Sequence, residues 1–309
     1  MTDRPACALL DAGDGRRLDR FGDRIVDRPA PAAVGPRDEG AGWAEADLRF
    51  DRDGGWWAAD PTALEPWLVT IDGLTLELRP AAGGQVGLFA EQAPIWRWVA
   101  DRVTERGAAA ARATDGVTDR VADRVADRPS AGAGSGPVRV LHLFAYTGAA
   151  TLAAARAGAA VVHVDGSRPA IAWARRNAAA SGLGDRPIRW IVDDAVAFVR
   201  REARRGRRYD GIVLDPPSYG HGGGRGRGPA WRIGEDLPDL LAGCASLLDP
   251  AAPFVALSAH SEDYGPDRLA GELAHAIRVP RGSIEAMDLD ERAETGALLP
   301  LGVWVWWSA

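Results

Sequence analysis

The chain has 309 residues and a formal net charge of −6, and all 37 of its basic residues are arginine. That length exceeds an ordinary single domain and supports a sizeable core, while no apolar run reaches the ~18 residues a membrane helix needs. Two cysteines build no disulfide framework, and Met1-Thr-Asp-Arg-Pro-Ala lacks a basic-then-apolar export pattern, so a cytoplasmic protein is expected, with no membrane and no metal.

Residues 1–85 mix turn signals, Asp11-Ala-Gly-Asp-Gly15 and Asp53-Gly54-Gly55, with short alternating runs such as Leu68-Val-Thr-Ile71 and Leu74-Thr-Leu-Glu-Leu78. This pattern predicts a small, hairpin-rich β domain, with Trp43, Trp56, Trp57 and Trp67 in its core or at an interface. A larger domain is expected over 86–309. Within it, residues 104–137 read as a low-complexity flexible insert: a four-residue repeat (Thr118-Asp-Arg-Val, Ala122-Asp-Arg-Val, Ala126-Asp-Arg-Pro) runs into Ser130-Ala-Gly-Ala-Gly-Ser-Gly136.

Past the insert, apolar strands alternate with helices. Val138-Arg-Val-Leu-His-Leu-Phe-Ala-Tyr-Thr-Gly148 is a strand feeding a tight turn, followed by helix formers from Ala149 to Ala157. Gly148 suits a turn where backbone approaches a ligand closely. Neither a phosphate-cradling Gly-Lys-Ser/Thr nor a full Gly-x-Gly-x-x-Gly is present. Ala160-Val-Val-His-Val164 ends in Asp165, placed to accept hydrogen bonds from ribose hydroxyls. Ile188-Arg-Trp-Ile-Val192 ends in Asp193-Asp194, and an arginine-rich helix follows.

Gly211-Ile-Val-Leu214 suits a buried parallel strand, and Asp215-Pro216-Pro217 must end it, because two prolines cannot donate ladder bonds. That carboxyl edge is where open α/β sheets bind ligands. Tyr219 follows, able to stack on a flat base or to pack as an aromatic lid. His221-Gly-Gly-Gly-Arg-Gly-Arg-Gly228 reads as a loop over the site, with Arg225 and Arg227 beside the substrate and Trp231 as its anchor or a stacking group. A helix over 235–248, a strand over 254–259 ending at His260, a helix over 266–277 and two last strands complete the sheet.

Leu143-Phe-Ala-Tyr-Thr-Gly148, Val164-Asp165, Trp173-Ala-Arg-Arg-Asn177, Val192-Asp-Asp194 and Asp215-Pro-Pro217 together resemble the motif series of class I S-adenosylmethionine-dependent methyltransferases. More closely, they resemble the bacterial 23S rRNA large-subunit methyltransferase I and K/L group and its uncharacterised relatives, whose lead-in segment Gly87-Leu-Phe-Ala-Glu-Gln92 also resembles. The resemblance implies a Rossmann-like α/β fold with a seven-stranded sheet, preceded by the β-rich domain. It implies that Phe144, Ala145, Tyr146, Thr147 and Gly148 hold the methionine part of S-adenosyl-L-methionine. Asp165 takes the ribose and Asp194, or its neighbour Asp193, the adenine; Gln92 and Asp215 join the cofactor set. Asp215, Pro216, Pro217, Ser218 and Tyr219 then face the methyl group and the substrate, with RNA, rRNA being the expected target, as partner.

A sulfonium is cationic at its reacting centre, so carboxylates and carbonyls suit it better than a phosphate cradle. Methyl transfer depends chiefly on holding nucleophile and methyl in line. Methylation at cytosine C5 needs a cysteine nucleophile. This chain offers only Cys7, far upstream, and Cys244 on an apolar helical face, whereas the position at the end of strand 254–259 is His260. Transfer to nitrogen or oxygen is therefore expected, with His260 as base, orienting group or plain structural residue. A small-molecule or protein acceptor is the alternative, favoured by the acidic balance; a non-catalytic cofactor- or RNA-binding module is the third reading.

Overall fold

The computed structural model describes residues 5–115, 136–220, 231–251 and 253–309. The chain forms two compact units, one of residues 1–93, 172–184 and 288–302 and the other of 94–171, 185–287 and 303–309.

The first unit opens with β1 (Cys7–Gly13), β2 (Arg16–Phe21), β3 (Arg24–Pro29), β4 (Leu48–Asp51) and β5 (Gly55–Trp57), hydrogen-bonded in that order into one sheet. A hairpin of β6 (Trp67–Ile71) and β7 (Leu74–Leu78) follows. Asp72 and Gly73 between them both have positive φ, the turn whose twist matches that of the flanking strands. The buried apolar side chains here include Leu18, Phe21, Val26, Leu48, Leu74, Leu76 and Leu78, and Asp19 is buried with them, paired to Arg17 and Arg28. The tryptophans expected in this core or at an interface lie at the margin of the core. Trp57 is 58% exposed. Trp43, Trp56 and Trp67 are half-buried, each indole N–H donating to an acceptor: Asp11 Oδ2, the Ala81 carbonyl and the Phe21 carbonyl. An indole buried completely would have had to find such a partner inside an aliphatic core.

The edge of β7 is closed by a helix. From α3 (Arg168–Ala180) and the turn after it, Trp173 Nε1 donates to the Glu77 carbonyl at 2.7 Å, Asn177 Oδ1 accepts the Glu77 N–H at 2.8 Å, and Ser181 Oγ both accepts from and donates to the Thr75 backbone. Residues four apart share a helix face, so three side chains do the work of a missing third strand.

The second unit carries α1 (Ala93–Asp115), β8 (Arg139–Leu143), α2 (Ala149–Arg156), β9 (Ala160–Asp165), the start of α3, β10 (Ile188–Val192), α4 (Ala195–Arg204), β11 (Gly211–Leu214), α5 (Ile233–Ala245), β12 (Phe254–Ala259) and α6 (Pro266–Ile277). With β13 (Glu285–Arg292) and β14 (Leu298–Ser308), the strands form the expected seven-stranded sheet, in the order β10-β9-β8-β11-β12-β14-β13. The strands from β10 to β12 run parallel, and β14 is antiparallel to β12. The fold is therefore Rossmann-like, with its topological switch between β8 and β11. Leu141, Leu143, Ile212, Leu214, Val255 and Leu257 build its core.

Residues 104–115, expected to open a flexible insert, instead continue α1. The alanine-rich run after Gly107 has high helix propensity, and Arg102 pairs with Glu105 one turn on. The repeat itself lies outside the described residues.

Candidate active site

The site is built at the carboxyl ends of four adjacent strands. After β8 the chain turns through Phe144, Tyr146 and Gly148 at φ of 54°, 47° and 92°. Two non-glycine residues with positive φ in one short turn cost roughly 1–2 kcal/mol each, so their surroundings must impose the conformation. The end of β9 does so: Ala145 N–H donates to the Val164 carbonyl at 3.1 Å and Tyr146 N–H to Asp165 Oδ2 at 2.8 Å. Gly148 then caps α2 in the left-handed region.

Asp165 Oδ1 accepts from Ser167 N–H at 2.7 Å. Burial pushes this carboxyl up from the usual range, opposed by its two amide hydrogen bonds. At the end of β10 the two candidate carboxylates separate. Asp193 pairs with Arg201. Asp194 is exposed and caps α4 through Oδ1, which accepts from Ala197 N–H at 2.8 Å.

Asp215 ends β11, its Oδ1 accepting from Ser258 Oγ at 2.6 Å and lying 3.0 Å from His260 Nε2. An ionised carboxylate only accepts, so beside it His260 is a donor through Nε2. Pro216 is buried, whereas Tyr219 is 76% exposed. Ser218 Oγ donates to the His260 carbonyl at 3.3 Å. Trp231 closes the arrangement: Nε1 donates to the Pro217 carbonyl at 2.7 Å, and its ring packs on Phe144 with centroids 5.3 Å apart.

In sheet order the strand ends therefore present Asp193 and Asp194, then Asp165, then the 144–148 turn, then Asp215. A molecule laid adenine first along β10, β9 and β8 meets a carboxylate, a carboxylate and a backbone turn, and reaches Asp215 with its sulfonium end. The arrangement fits S-adenosylmethionine without any phosphate cradle.

The structure thus gathers Phe144 to Gly148, Asp165, Asp193, Asp194, Asp215 to Tyr219, Trp231 and His260 in one unit. Gln92 lies in the other, ending the 3-10 turn Ala90–Gln92. Arg225 and Arg227 lie outside the described residues. Ser258, buried on β12, had no sequence signal: a serine in Phe254-Val-Ala-Leu-Ser-Ala259 reads as one more strand residue. Burial, first of all, pushes both thiols, Cys7 and Cys244, up to about 12. Among the described residues there is no group of three or more His, Cys, Asp or Glu arranged to hold a metal ion, and no helix is long and apolar enough to cross a membrane.

Fold and site together define a class I methyltransferase built to hold S-adenosylmethionine. Comparison with known proteins agrees. Over 99% of its length the chain matches the crystal structure of a SAM-dependent methyltransferase from Agrobacterium tumefaciens, at 32% identity and a TM-score of 0.80, covering 91% of that chain. It belongs to the family of S-adenosylmethionine-dependent methyltransferases. A structure of a methyltransferase complexed with SAH shares the fold, with a TM-score of 0.64 at 16% identity over 98% of this chain and 75% of the other. Residues 128–222 match the family described as conserved hypothetical protein 95. The ribosomal RNA large subunit methyltransferase K/L of Methylococcus capsulatus is 38% identical over 116 residues, 37% of this chain. That match spans only 15% of the relative's length.

Proposed function

We propose that this methyltransferase modifies a base of RNA, with large-subunit ribosomal RNA as the target, at nitrogen or oxygen. The observation that carries the reading is Tyr219: an aromatic ring 76% exposed, three residues past the Pro216 carbonyl, offers a face on which an extruded base can stack beside Asp215. The similarity to the K/L enzyme supports the choice of RNA.

In this reading S-adenosylmethionine supplies an electrophilic methyl group. The Tyr146 N–H to Asp165 bond fixes the turn around it, with Asp165 accepting the ribose hydroxyls and Asp194 the adenine amine. Ser258 and His260 hold Asp215 through Oδ1, so that Asp215 and the Pro216 carbonyl face the acceptor group and aim its lone pair. Cys244 is buried and Cys7 half-buried, and both thiols are raised by burial, which opposes a cysteine-dependent C5 route because the thiolate is the nucleophile. The net charge of −6 favours a second reading, a small-molecule or protein acceptor.

The test is transfer of labelled methyl from S-adenosylmethionine to ribosomal RNA lacking the modification. Label in RNA, mapped to a nitrogen or oxygen, is the expected result. Cofactor binding with no RNA labelling moves the acceptor to the second reading.

A further inference from the structure

We propose that a buried chain of three side chains, His142, Thr151 and His163, positions the turn at 144–148 and thereby sets the affinity for S-adenosylmethionine. The inference rests on reading that turn as the cofactor's cradle.

Thr151 Oγ1 lies 2.7 Å from His142 Nδ1 and 2.9 Å from His163 Nδ1. All three residues are buried, with relative exposures of 1%, 5% and 0% for Thr151, His142 and His163. Each sits next to a different wall of the cradle. His142 is two residues before Phe144, His163 two before Asp165, and Thr151 is in the first turn of α2, three after Gly148. The backbone of Tyr146 lies against His163 as well.

A hydroxyl has one proton, so Thr151 donates to one imidazole and accepts from the other. One histidine is therefore the Nδ1–H tautomer and its partner the Nε2–H tautomer. Neither is protonated: burial brings His142 down to about 4 and His163 well below its usual value, and Asp215, the only raising influence on His142, does not reverse this. A neutral hydrogen-bonded chain thus ties β8, β9 and α2 together at the residues flanking the turn. Aliphatic side chains would fill this space without the cost of burying three polar groups, but they would leave the entry of α2 free to shift. A hydrogen-bonded chain has directional geometry, and so specifies one setting of the positive-φ turn.

The experiment is calorimetric titration of the full chain with S-adenosylmethionine, for wild type, Thr151→Val, Thr151→Ser and Asp165→Ala, with melting temperature measured on each. Thr151→Val keeps the volume and strands both Nδ1 atoms; affinity is expected to fall about tenfold, while Thr151→Ser stays within about twofold. A Thr151→Val variant that melts earlier yet binds like wild type makes the chain mere core and overturns the proposal. If Thr151→Val does not fold, ¹⁵N spectra of the wild-type histidines decide: titration must shift the Nδ1 signals of both, and unmoved signals overturn it. Asp165→Ala separates the two ideas. If it loses binding and Thr151→Val does not, the chain alone is rejected; if Asp165→Ala binds like wild type, the cradle reading falls and the proposal with it.

Discussion

The backbone N–H of Tyr146 donates to Asp165 Oδ2 at 2.8 Å, so the carboxylate at the end of β9 holds in place the turn at the end of β8. Asp165 thus shapes the site as well as lining it. Asp165→Asn retains an oxygen for one amide but places an NH2 where an acceptor is needed. Calorimetry is expected to show at least a tenfold loss of S-adenosylmethionine affinity, with a stability loss of about 1–3 kcal/mol from the orphaned amide.

Trp231 joins the cofactor turn to the substrate turn through Phe144 and the Pro217 carbonyl. Trp231→Phe keeps an aromatic ring and removes the donor. The expected outcome in steady-state kinetics is a fall in kcat of about tenfold, with KM for S-adenosylmethionine changed by less than about threefold, because positioning of Asp215 to Tyr219 is what is lost.

The helix face of Trp173, Asn177 and Ser181 closes the β7 edge. Asn177 is fully buried. Asn177→Leu leaves the Glu77 N–H without an acceptor, and denaturant titration is expected to show a loss of about 1–3 kcal/mol. Gly87 has the companion constraint: at φ of 95°, an added Cβ would lie 2.1 Å from the Trp173 ring. Gly87→Ala is expected to destabilise by a similar amount, read by the same titration.

The buried histidines give a pH dependence with a definite sign. His142 is lowered by burial from 6.5 to about 4, and His163 is lowered too. A depressed folded-state value means the unfolded chain takes up the proton first. Stability is then fully present above about pH 6.5 and is lost as pH falls toward 4, by roughly 3 kcal/mol for His142 alone. Replacing His142 by Asn should flatten that slope in denaturant titrations run between pH 7 and pH 4.

Much of this architecture was legible in the chain. Four apolar runs, each ending in a turn residue or a carboxylate, located the edge of the parallel sheet, and Asp215-Pro216-Pro217 marked where the last of them stopped. Other features were not legible, for a shared physical reason. Ser258 acts on Asp215 from 43 residues away, and Thr151 reads as an ordinary helix residue until two strands bring a histidine to each side of it. Trp173 and Asn177 lie four apart on one helix face, but nothing in the sequence marks the strand edge that this face covers. The tryptophans, expected in the core or at an interface, sit at the margin of the core, where the indole N–H has carbonyls and carboxylates within reach.

The most direct test of the account is methyl transfer to ribosomal RNA by Asp215→Ala, measured beside calorimetric binding of S-adenosylmethionine. The account predicts that binding stays within about threefold of wild type while transfer falls by at least about a hundredfold, since Asp215 aims the acceptor. Wild-type transfer by this variant would contradict the placement of the reaction at the end of β11.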